Sequence, residues 1–278
     1  MRIHLGGRSR QSLVIARGKL DAAIKGANAA TASELSSHLF FAADVLASNT
    51  SLRRAITDPS REAGGKAVLI KELFGKSVGA MAVNLLSDIA SVRWSSGQDV
   101  IHVVEQLAIE AEASAANINN ELDRLEDELF ETSRLVADTI DIRKALVGAG
   151  SSQAKSTLLS EILQKKASAS TVKLATTLVA SLRGRSIEAG FADYLFGLAN
   201  RRNRLIAVVK TAVPLTSDQS ARLSAALEKQ VGQPIRVNIQ VDSSILGGVS
   251  VKFADELVDG SVSHRLANAG RELAGIKI

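Results

Sequence analysis

The chain has 278 residues with 34 basic and 29 acidic side chains, which gives a formal charge of +5. It contains no cysteine, and this excludes a disulfide framework, a cysteine nucleophile and a cysteine-ligated metal site. Hydrophobic residues make up 46% of the chain but aromatic residues only 3%, so the core must consist mainly of Leu, Val, Ile and Ala. A chain of this length forms one large domain or two modest ones.

The amino-terminal residues, MRIHLGGRSRQS, are polar and lack the apolar core of a signal peptide. No apolar run reaches the length of about 18 residues that a transmembrane helix needs. We therefore expect neither a secretion signal nor a membrane span, and we expect any contact with a membrane to be made through partners.

The part of the chain before residue 205 has the pattern of a helical protein. No proline occurs between Pro59 and Pro214, which permits long helices. Thr31 or Ser33 is expected to cap the first helix, and Gly75 is expected to end the third. Apolar residues at helical spacing predict four helices in the first hundred residues, at 31–48, 52–57, 61–74 and 77–93.

Residues 98–138 contain neither glycine nor proline, and their apolar spacing stays helical throughout. This pattern predicts one long helix. A break near Asn117–Asn120 is the alternative that the pattern leaves open.

Two parts of the helical region resemble each other at an offset of 90 residues. LSSHLF at 35–40 matches LEDELF at 125–130, and 52–56 matches 142–146. Helices and breaks recur in the same order, so we interpret the region as two copies of one helical bundle. A chance coincidence of two unrelated sets of amphipathic helices is the alternative.

The duplication predicts two helical domains, at 1–115 and 116–204. The long helix at about 98–138 would be shared, as the last helix of the first bundle and the first helix of the second. Residues 205–278 form a third, smaller domain in this interpretation. The expected fold class is therefore mainly α, with a duplicated helical bundle followed by a small α+β domain.

The pattern changes to short β-branched runs after residue 205. A strand is expected to run from 205 until Pro214 ends it, and Thr216–Gln219 forms a capping box for a helix. Further elements complete a β-α-β-β-α order; these are a strand at 235–241, a hairpin around 249–260 with its turn at 254–256, and a last helix at 261–274.

A series of short motifs occupies fixed positions in this small domain. The residues that form them are Pro214, Leu215, Thr216, Asp242, Leu246, Gly247, Gly248, Asp259, Gly260, Ser261, Arg265 and Leu266. In this order they resemble the carboxyl-terminal signature of the ATP synthase delta subunit family, which includes the oligomycin-sensitivity-conferring protein. A chain with two bundles in front of the signature resembles the enlarged actinobacterial form of that subunit.

The resemblance implies a non-catalytic stator, or peripheral-stalk, subunit of the proton-translocating F-type ATP synthase. It implies that the helical part binds the alpha subunits of the alpha/beta catalytic head and that the small domain binds the b-type stalk. The expected location is the cytoplasmic face of the bacterial plasma membrane, as a peripheral part of the complex.

We expect no catalytic, cofactor or metal site. Gly75-Lys76-Ser77 has the end of a phosphate-loop motif, but Ile70 stands where the first glycine is required. None of the four histidines lies at metal-ligand spacing from another histidine. Arg183 and Arg185 flank a glycine at a helix–helix corner, where we expect a structural or interface role.

A second hypothesis is a cytosolic helical protein that binds nucleic acid or acts as a scaffold. The sequence pI of about 9.6 and the basic cluster at 201–204 favour it. The shortage of aromatic side chains for base stacking opposes it, so we expect no nucleic-acid partner. An enzyme is a third hypothesis, but we recognise no set of catalytic residues in the sequence that would support it.

Overall fold

The computed structural model describes residues 5–201, 205–231, 235–242, 248–253 and 256–261. These residues form twelve α-helices and four β-strands, so the mainly α class with a small α+β part is confirmed. The helices of the first part are α1 (Gly7–Ile24), α2 (Ala29–Ser48), α3 (Thr50–Thr57), α4 (Ala63–Phe74), α5 (Ala80–Ser91), α6 (Gly97–Ile118), α7 (Leu122–Asp138), α8 (Ile140–Val147), α9 (Ser152–Leu163), α10 (Ala169–Ala180) and α11 (Ile187–Arg201). The remaining elements are β1 (Leu205–Thr211), α12 (Ser217–Val231), β2 (Ile235–Val241), β3 (Gly248–Phe253) and β4 (Glu256–Ser261).

The chain divides into two compact units, Met1–Leu198 and Ala199–Ile278. The first unit contains α1 to α10 and most of α11, and the second contains the sheet and α12. The finer domain boundaries expected from the sequence stay predictions.

The continuous helix predicted over 98–138 is wrong, and the alternative break is confirmed. α6 ends at Ile118 and α7 begins at Leu122. Between them Asn120 has a φ of 59°, and the N–H of Glu121 donates to the carbonyl of Ala116 over 2.7 Å. Asparagine tolerates this left-handed conformation better than most residues, so the helix stops without glycine or proline.

Helix order supports the duplication, with α6 as the shared element. The six helices α1 to α6 begin at residues 7, 29, 50, 63, 80 and 97, and α6 to α11 begin at 97, 122, 140, 152, 169 and 187. Corresponding starts therefore differ by 89 to 93 residues. Helix α1 was not predicted from the sequence, and it has no side-chain cap at its start.

Two of the three predicted helix ends are confirmed. α4 ends at Gly75, whose N–H donates to the carbonyl of Lys71 over 2.9 Å. In the capping box, Gln219 N–H donates to Thr216 Oγ1 over 3.2 Å and Thr216 N–H donates to Gln219 Oε1 over 2.9 Å. The predicted cap of α2 is wrong, because Asn28 fills this role and accepts from the N–H of Thr31 over 2.8 Å.

The small unit contains a mixed sheet in the order β2-β1-β3-β4, with β1 parallel to β2 and antiparallel to β3. It has one strand more than the β-α-β-β-α order, because the hairpin contributes both β3 and β4. In this hairpin Phe253 pairs with Glu256. Glu256, which was expected in the turn at 254–256, begins β4 instead, and residues 254–255 lie outside the described residues. A core of Val209, Leu227 and Val251 packs α12 on the sheet.

Strand β1 ends earlier than expected, at Thr211 rather than at Pro214. The hydroxyl of Thr211 donates to the carbonyl of Val213 over 2.8 Å, and this local bond turns the chain out of the strand. Ser261, where the last helix was expected to begin, is the last residue of β4, and the rest of that predicted helix, 262–274, lies outside the described residues.

Candidate functional site

Helix α6 is the central helix of the large unit, because 16 of its 22 residues are buried. A helix that is buried on nearly all sides contacts other helices all around its axis. Three of its buried residues are glutamates, Glu105, Glu110 and Glu112, and each is at most 2% exposed. Carboxylates at such depth require charged or hydrogen-bonding partners, and these partners come from distant parts of the chain.

Glu105 accepts hydrogen bonds from three side chains at or near the corner between α10 and α11. Arg185 Nη2 lies 2.7 Å from Glu105 Oε1, and the hydroxyl of Tyr194 lies 3.1 Å from the same oxygen. Arg183 Nη1 also donates to this oxygen. Because two guanidinium groups converge on one carboxylate, both arginines are held at the surface of α6.

The same two arginines reach a second carboxylate each. Arg183 Nη2 lies 2.6 Å from Asp44 Oδ1 on α2, and Arg185 Nη1 lies 3.0 Å from Asp193 Oδ2 on α11. The corner itself requires left-handed backbone, with φ of 50° at Arg183 and 78° at Gly184. Glycine adopts this conformation without a steric penalty, so the sequence Arg-Gly-Arg directs two cations from one tight turn toward α6.

Glu112, two turns further along α6, forms a similar contact. Lys173 Nζ on α10 lies 2.7 Å from Glu112 Oε2 and 2.6 Å from the carbonyl of Ser33 on α2. The hydroxyl of Ser170 donates to Glu112 Oε1 over 2.6 Å. This contact joins α2, α6 and α10.

We call these contacts the polar seam. Its members are Ser33, Asp44, Glu105, Glu112, Ser170, Lys173, Arg183, Arg185, Asp193 and Tyr194. An aromatic contact accompanies it, since the rings of Phe40 on α2 and Tyr194 on α11 stack with centroids 6.0 Å apart. The seam therefore fastens the first helix set (α1–α5) and the second helix set (α7–α11) on the two sides of α6.

Corresponding residues of the two helix sets carry corresponding contacts. His38 Nδ1 accepts from the N–H of Gly79 just before α5 over 3.4 Å. In the second helix set, Glu128, 90 residues after His38, accepts through Oε2 from the N–H of Ser168, 89 residues after Gly79 and just before α10, over 2.7 Å. Burial opposes the charged form of Glu128, but hydrogen bonds from Thr171 and Ser168 outweigh it and lower the pKa of this carboxyl.

Burial also shifts the pKa of groups around Glu105. The pKa of Tyr194 is raised well above its usual value, first by burial and then by the charge of Glu105. Burial raises the pKa of Asp193 although Arg185 opposes this shift. Burial lowers the pKa of His102, one turn before Glu105, and Glu105 opposes this shift. Burial is the first cause of each of these three shifts.

Arg183 and Arg185 are thus placed inside the large unit, and their side chains are only 3% and 12% exposed. The contacts of the two arginines with buried carboxylates support a structural role, while a role at an interface with another subunit stays a prediction. The glutamates of α6 were missed by the sequence analysis. The sequence feature that could have revealed these glutamates is the occurrence of three acidic residues within the apolar run VIHVVEQLAIEAEA.

The family-motif residues of the small domain are only partly described. Asp242 follows β2, where its N–H donates to the carbonyl of Thr211 over 2.8 Å and its carboxylate lies 3.4 Å from Lys210 Nζ. Pro214, Leu215 and Thr216 connect β1 to α12, Gly248 begins β3, and Asp259, Gly260 and Ser261 lie in β4. Leu246, Gly247, Arg265 and Leu266 lie outside the described residues. The roles of these residues stay predictions.

Within the described ranges, no group of three or more His, Asp or Glu side chains has the arrangement of a metal site. Within the same ranges, no helix has the length and hydrophobicity to cross a membrane.

The chain is similar to proteins described as ATP synthase subunit delta. It is 40% identical to the subunit of Streptomyces coelicolor over 96% of this chain and 98% of that protein. It is 37% identical to the subunit of Thermobifida fusca over 97% of this chain and 99% of that protein. Nearly the whole length aligns, so the alignments extend over the residues that form the first helix set of this chain.

A chain in the cryo-EM structure of the Toxoplasma gondii mitochondrial ATP synthase hexamer is also similar. It is 22% identical with a TM-score of 0.33, over 61% of this chain and 98% of that one. The model of the family "ATP synthase delta (OSCP) subunit" matches residues 110–273, more than half of the sequence. The chain therefore belongs to the ATP synthase delta (OSCP) subunit family.

Proposed function

We propose that the chain joins the alpha/beta catalytic head of the ATP synthase to its b-type peripheral stalk and so prevents the head from turning with the rotor. The family is a structural, non-catalytic part of the peripheral stalk. The single observation that carries the proposal is the alignment of nearly the whole chain with the delta subunit of Streptomyces coelicolor at 40% identity. Rotation drives ATP synthesis only if the head is held still, so the task is mechanical.

The division into two compact units supports a protein with two attachment points. In the proposal, the large helical unit binds the amino-terminal segments of the alpha subunits, and it lies against the beta subunits where they adjoin. Helical units bind such segments by accepting an amphipathic helix in an apolar groove. The small unit around the sheet binds the end of the b-type stalk.

The polar seam supports the mechanical part of the proposal. A stator transmits torque, so its helix sets must not slide past each other. Glu105 and Glu112 are held by cations from the second helix set, and these cations also contact Asp44 and Ser33 on α2. Buried ion pairs fix the relative position of the elements that carry them, because breaking a pair leaves an uncompensated charge.

We further propose that the protein is peripheral to the bacterial plasma membrane, on its cytoplasmic face, and is held there by its partners. The relatives from Streptomyces coelicolor and Thermobifida fusca are delta subunits of bacterial ATP synthases, and this supports the proposal.

A pull-down tests the proposal. The tagged chain is recovered from detergent-solubilised membranes and its partners are identified by mass spectrometry. We expect alpha, beta and b-type subunits in the eluate at low and at moderate salt. Recovery of ribosomal proteins or nucleic acid in their place, lost as the salt is raised, would favour the nucleic-acid-binding or scaffold hypothesis and would overturn the proposal.

A further inference from the structure

The second helix set has a groove between α6 and α10, and helix α2 of the first helix set fills it. Across this groove, Lys173 Nζ on α10 lies 2.7 Å from Glu112 Oε2 on α6 and 2.6 Å from the carbonyl of Ser33, near the start of α2. Near the other end of α2, Asp44 pairs with Arg183, which lies just after α10. Contacts toward both ends of α2 therefore keep this helix in what we call the filled groove.

The first helix set has a corresponding groove between α1 and α5. α1 and α6 begin 90 residues apart, and α5 and α10 begin 89 residues apart, so the two helix pairs are equivalent in the duplication. Lys19 on α1 and Asp88 on α5 pair over 3.4 Å, and the hydroxyl of Ser12 donates to the carbonyl of Arg93, just after α5, over 2.6 Å. These contacts hold α1 against α5 and form what we call the open groove.

The outer face of α1 at the open groove is apolar and exposed. Val14 is 69% exposed and Ile15 is 49% exposed, Ala22 is exposed, and a Cβ at Gly18 would meet no atom within 4 Å. The four residues of α6 that lie 90 positions later are each at most 1% exposed; they are Val104, Glu105, Ala108 and Glu112. An exposed apolar face marks an interaction surface, and the equivalent face of the second helix set is already covered.

The open groove differs from the filled groove in its chemistry. Ile15 and Ala22 stand on α1 where Glu105 and Glu112 stand on α6. The two glutamates belong to the ion pairs and hydrogen bonds that reach α2. Their apolar counterparts cannot form such contacts, so the open groove favours a helix that presents apolar side chains.

Unpaired cations lie along α1. Arg8, Arg10 and Lys25 are exposed, and none of the three forms an ion pair with a residue in the described part of the chain. Asp21 is the one acidic residue of α1. A helix with acidic side chains beside its apolar stripe would complement this charge.

We propose that the open groove receives one amphipathic helix with acidic flanks from a neighbouring subunit of the complex, and that the second helix set receives no such helix because α2 fills its groove. The inference rests on the proposed function for the source of the helix, which is the amino-terminal segment of an alpha subunit. Likeness to the family alone would assign this segment to the second helix set, because the matched residues 110–273 begin within α6.

Filling the open groove by mutation tests the inference. Gly18→Phe adds a large side chain where a Cβ would meet no atom of the chain within 4 Å, so the variant should fold with its groove blocked. Gly64→Phe on α4 is the matched control, since a Cβ at Gly64 would also meet no atom within 4 Å. The full chain is titrated with isolated alpha/beta head that has lost its own delta subunit. We expect Gly18→Phe to bind at least about tenfold more weakly than the parent, the loss typical of a central interface contact, and Gly64→Phe to bind like the parent.

Photocrosslinking identifies the occupant of the open groove. The photoreactive residue p-benzoylphenylalanine replaces Ile15 in one full-length variant and Val147 on α8 in another; Val147 is 56% exposed and belongs to the second helix set. After assembly with the head, the crosslinked peptides are identified by mass spectrometry. We expect the label at Ile15 to react with one acidic, amphipathic segment of an alpha subunit, and the label at Val147 not to react with that segment.

The outcomes separate the inference from the proposed function. If the parent binds the head and Gly18→Phe binds it as tightly, or if the label at Ile15 reacts only within its own chain, the inference is overturned and the proposed function stands. If the label at Val147 reacts with the alpha segment and the label at Ile15 does not, the second helix set is the receptor and the inference is again overturned. If the parent does not bind the head at all, the proposed function fails as well.

Discussion

Tyr194 on α11 donates a hydrogen bond to Glu105 on α6 over 3.1 Å, and neither residue is more than 1% exposed. Residues 89 positions apart in the sequence thus meet in the interior, where the same carboxylate also receives Arg183 and Arg185. Glu105, Arg183, Arg185 and Tyr194 therefore form a charged cluster where the two helix sets meet.

Removal of the charge of Glu105 should therefore destabilise the protein strongly. In Glu105→Gln the buried guanidinium of Arg183, 3% exposed, loses its buried counter-charge. The expected loss in unfolding free energy is about 3 kcal/mol, measured by urea denaturation. Asp44→Asn is the control, because Asp44 is 49% exposed and exposed pairs contribute at most about 1 kcal/mol. Equal, small losses in the two variants would contradict a structural role for the cluster.

The close approach of α6 and α11 should make Gly197 intolerant of a side chain. A Cβ at this position would lie 2.8 Å from Ile109 Cγ2, whereas a Cβ at Gly18 in the middle of α1 would meet no atom within 4 Å. We expect Gly197→Ala to lower the melting temperature by overpacking, at a cost of about 1–3 kcal/mol. Gly18→Ala should raise it, with a gain of about 1 kcal/mol from helix propensity. If Gly197→Ala raised the melting temperature and Gly18→Ala lowered it, α11 would not pack against α6 as described.

The turn between α6 and α7 depends on the left-handed backbone of Asn120. With φ at 59°, Asn120→Gly should be neutral or stabilising by a few tenths of a kcal/mol. Asn120→Val should destabilise by about 1–2 kcal/mol, because a β-branched side chain is strained in this conformation. Thermal unfolding of the two variants measures the difference. If Val is tolerated as well as Gly, α6 and α7 form one continuous helix in solution.

The burial of His102 should make stability depend on pH. Because burial lowers the pKa of His102 below its usual value of 6.5, the unfolded chain binds a proton before the folded chain does. Stability contributed by the neutral imidazole is therefore present above pH 6.5 and is lost as the pH falls from 6.5 toward the lower pKa of the folded state.

Comparison of the parent with His102→Gln isolates this effect from the titration of carboxylates. We expect the unfolding free energy of the parent to fall more steeply than that of the variant between about pH 7 and pH 5.5. Parallel pH profiles would mean that His102 is not buried as a neutral side chain.

The sequence predicted those features that local patterns determine. The capping box at Thr216 and the glycine end of α4 each depend on residues only a few positions apart, and both were found. The end of α6 was left open because an asparagine in the left-handed conformation, and not a glycine or a proline, ends the helix. Helix α1 was missed because its buried positions include Ser9 and Ser12, which give only a weak apolar stripe.

The polar seam was not predictable in the same way. Arg183 and Arg185 attracted attention as a pair around a glycine, but their partners Glu105 and Asp44 lie 78 and 139 residues away from Arg183. No local pattern connects residues at such separations. Only the packing of α2, α10 and α11 around α6 brings them together, and the depth of burial decides which carboxylates carry the contacts.

Truncation of the chain after Val241 tests the central claim most directly. This truncation removes β3 and β4, and β3 pairs with β1 at the centre of the sheet, so the proposed attachment to the b-type stalk should be lost. In membranes that carry the truncated chain as their sole delta subunit, we expect ATP hydrolysis by the head to persist and proton-driven ATP synthesis to be abolished, relative to membranes with the full chain. Normal ATP synthesis by these membranes would contradict the stator function.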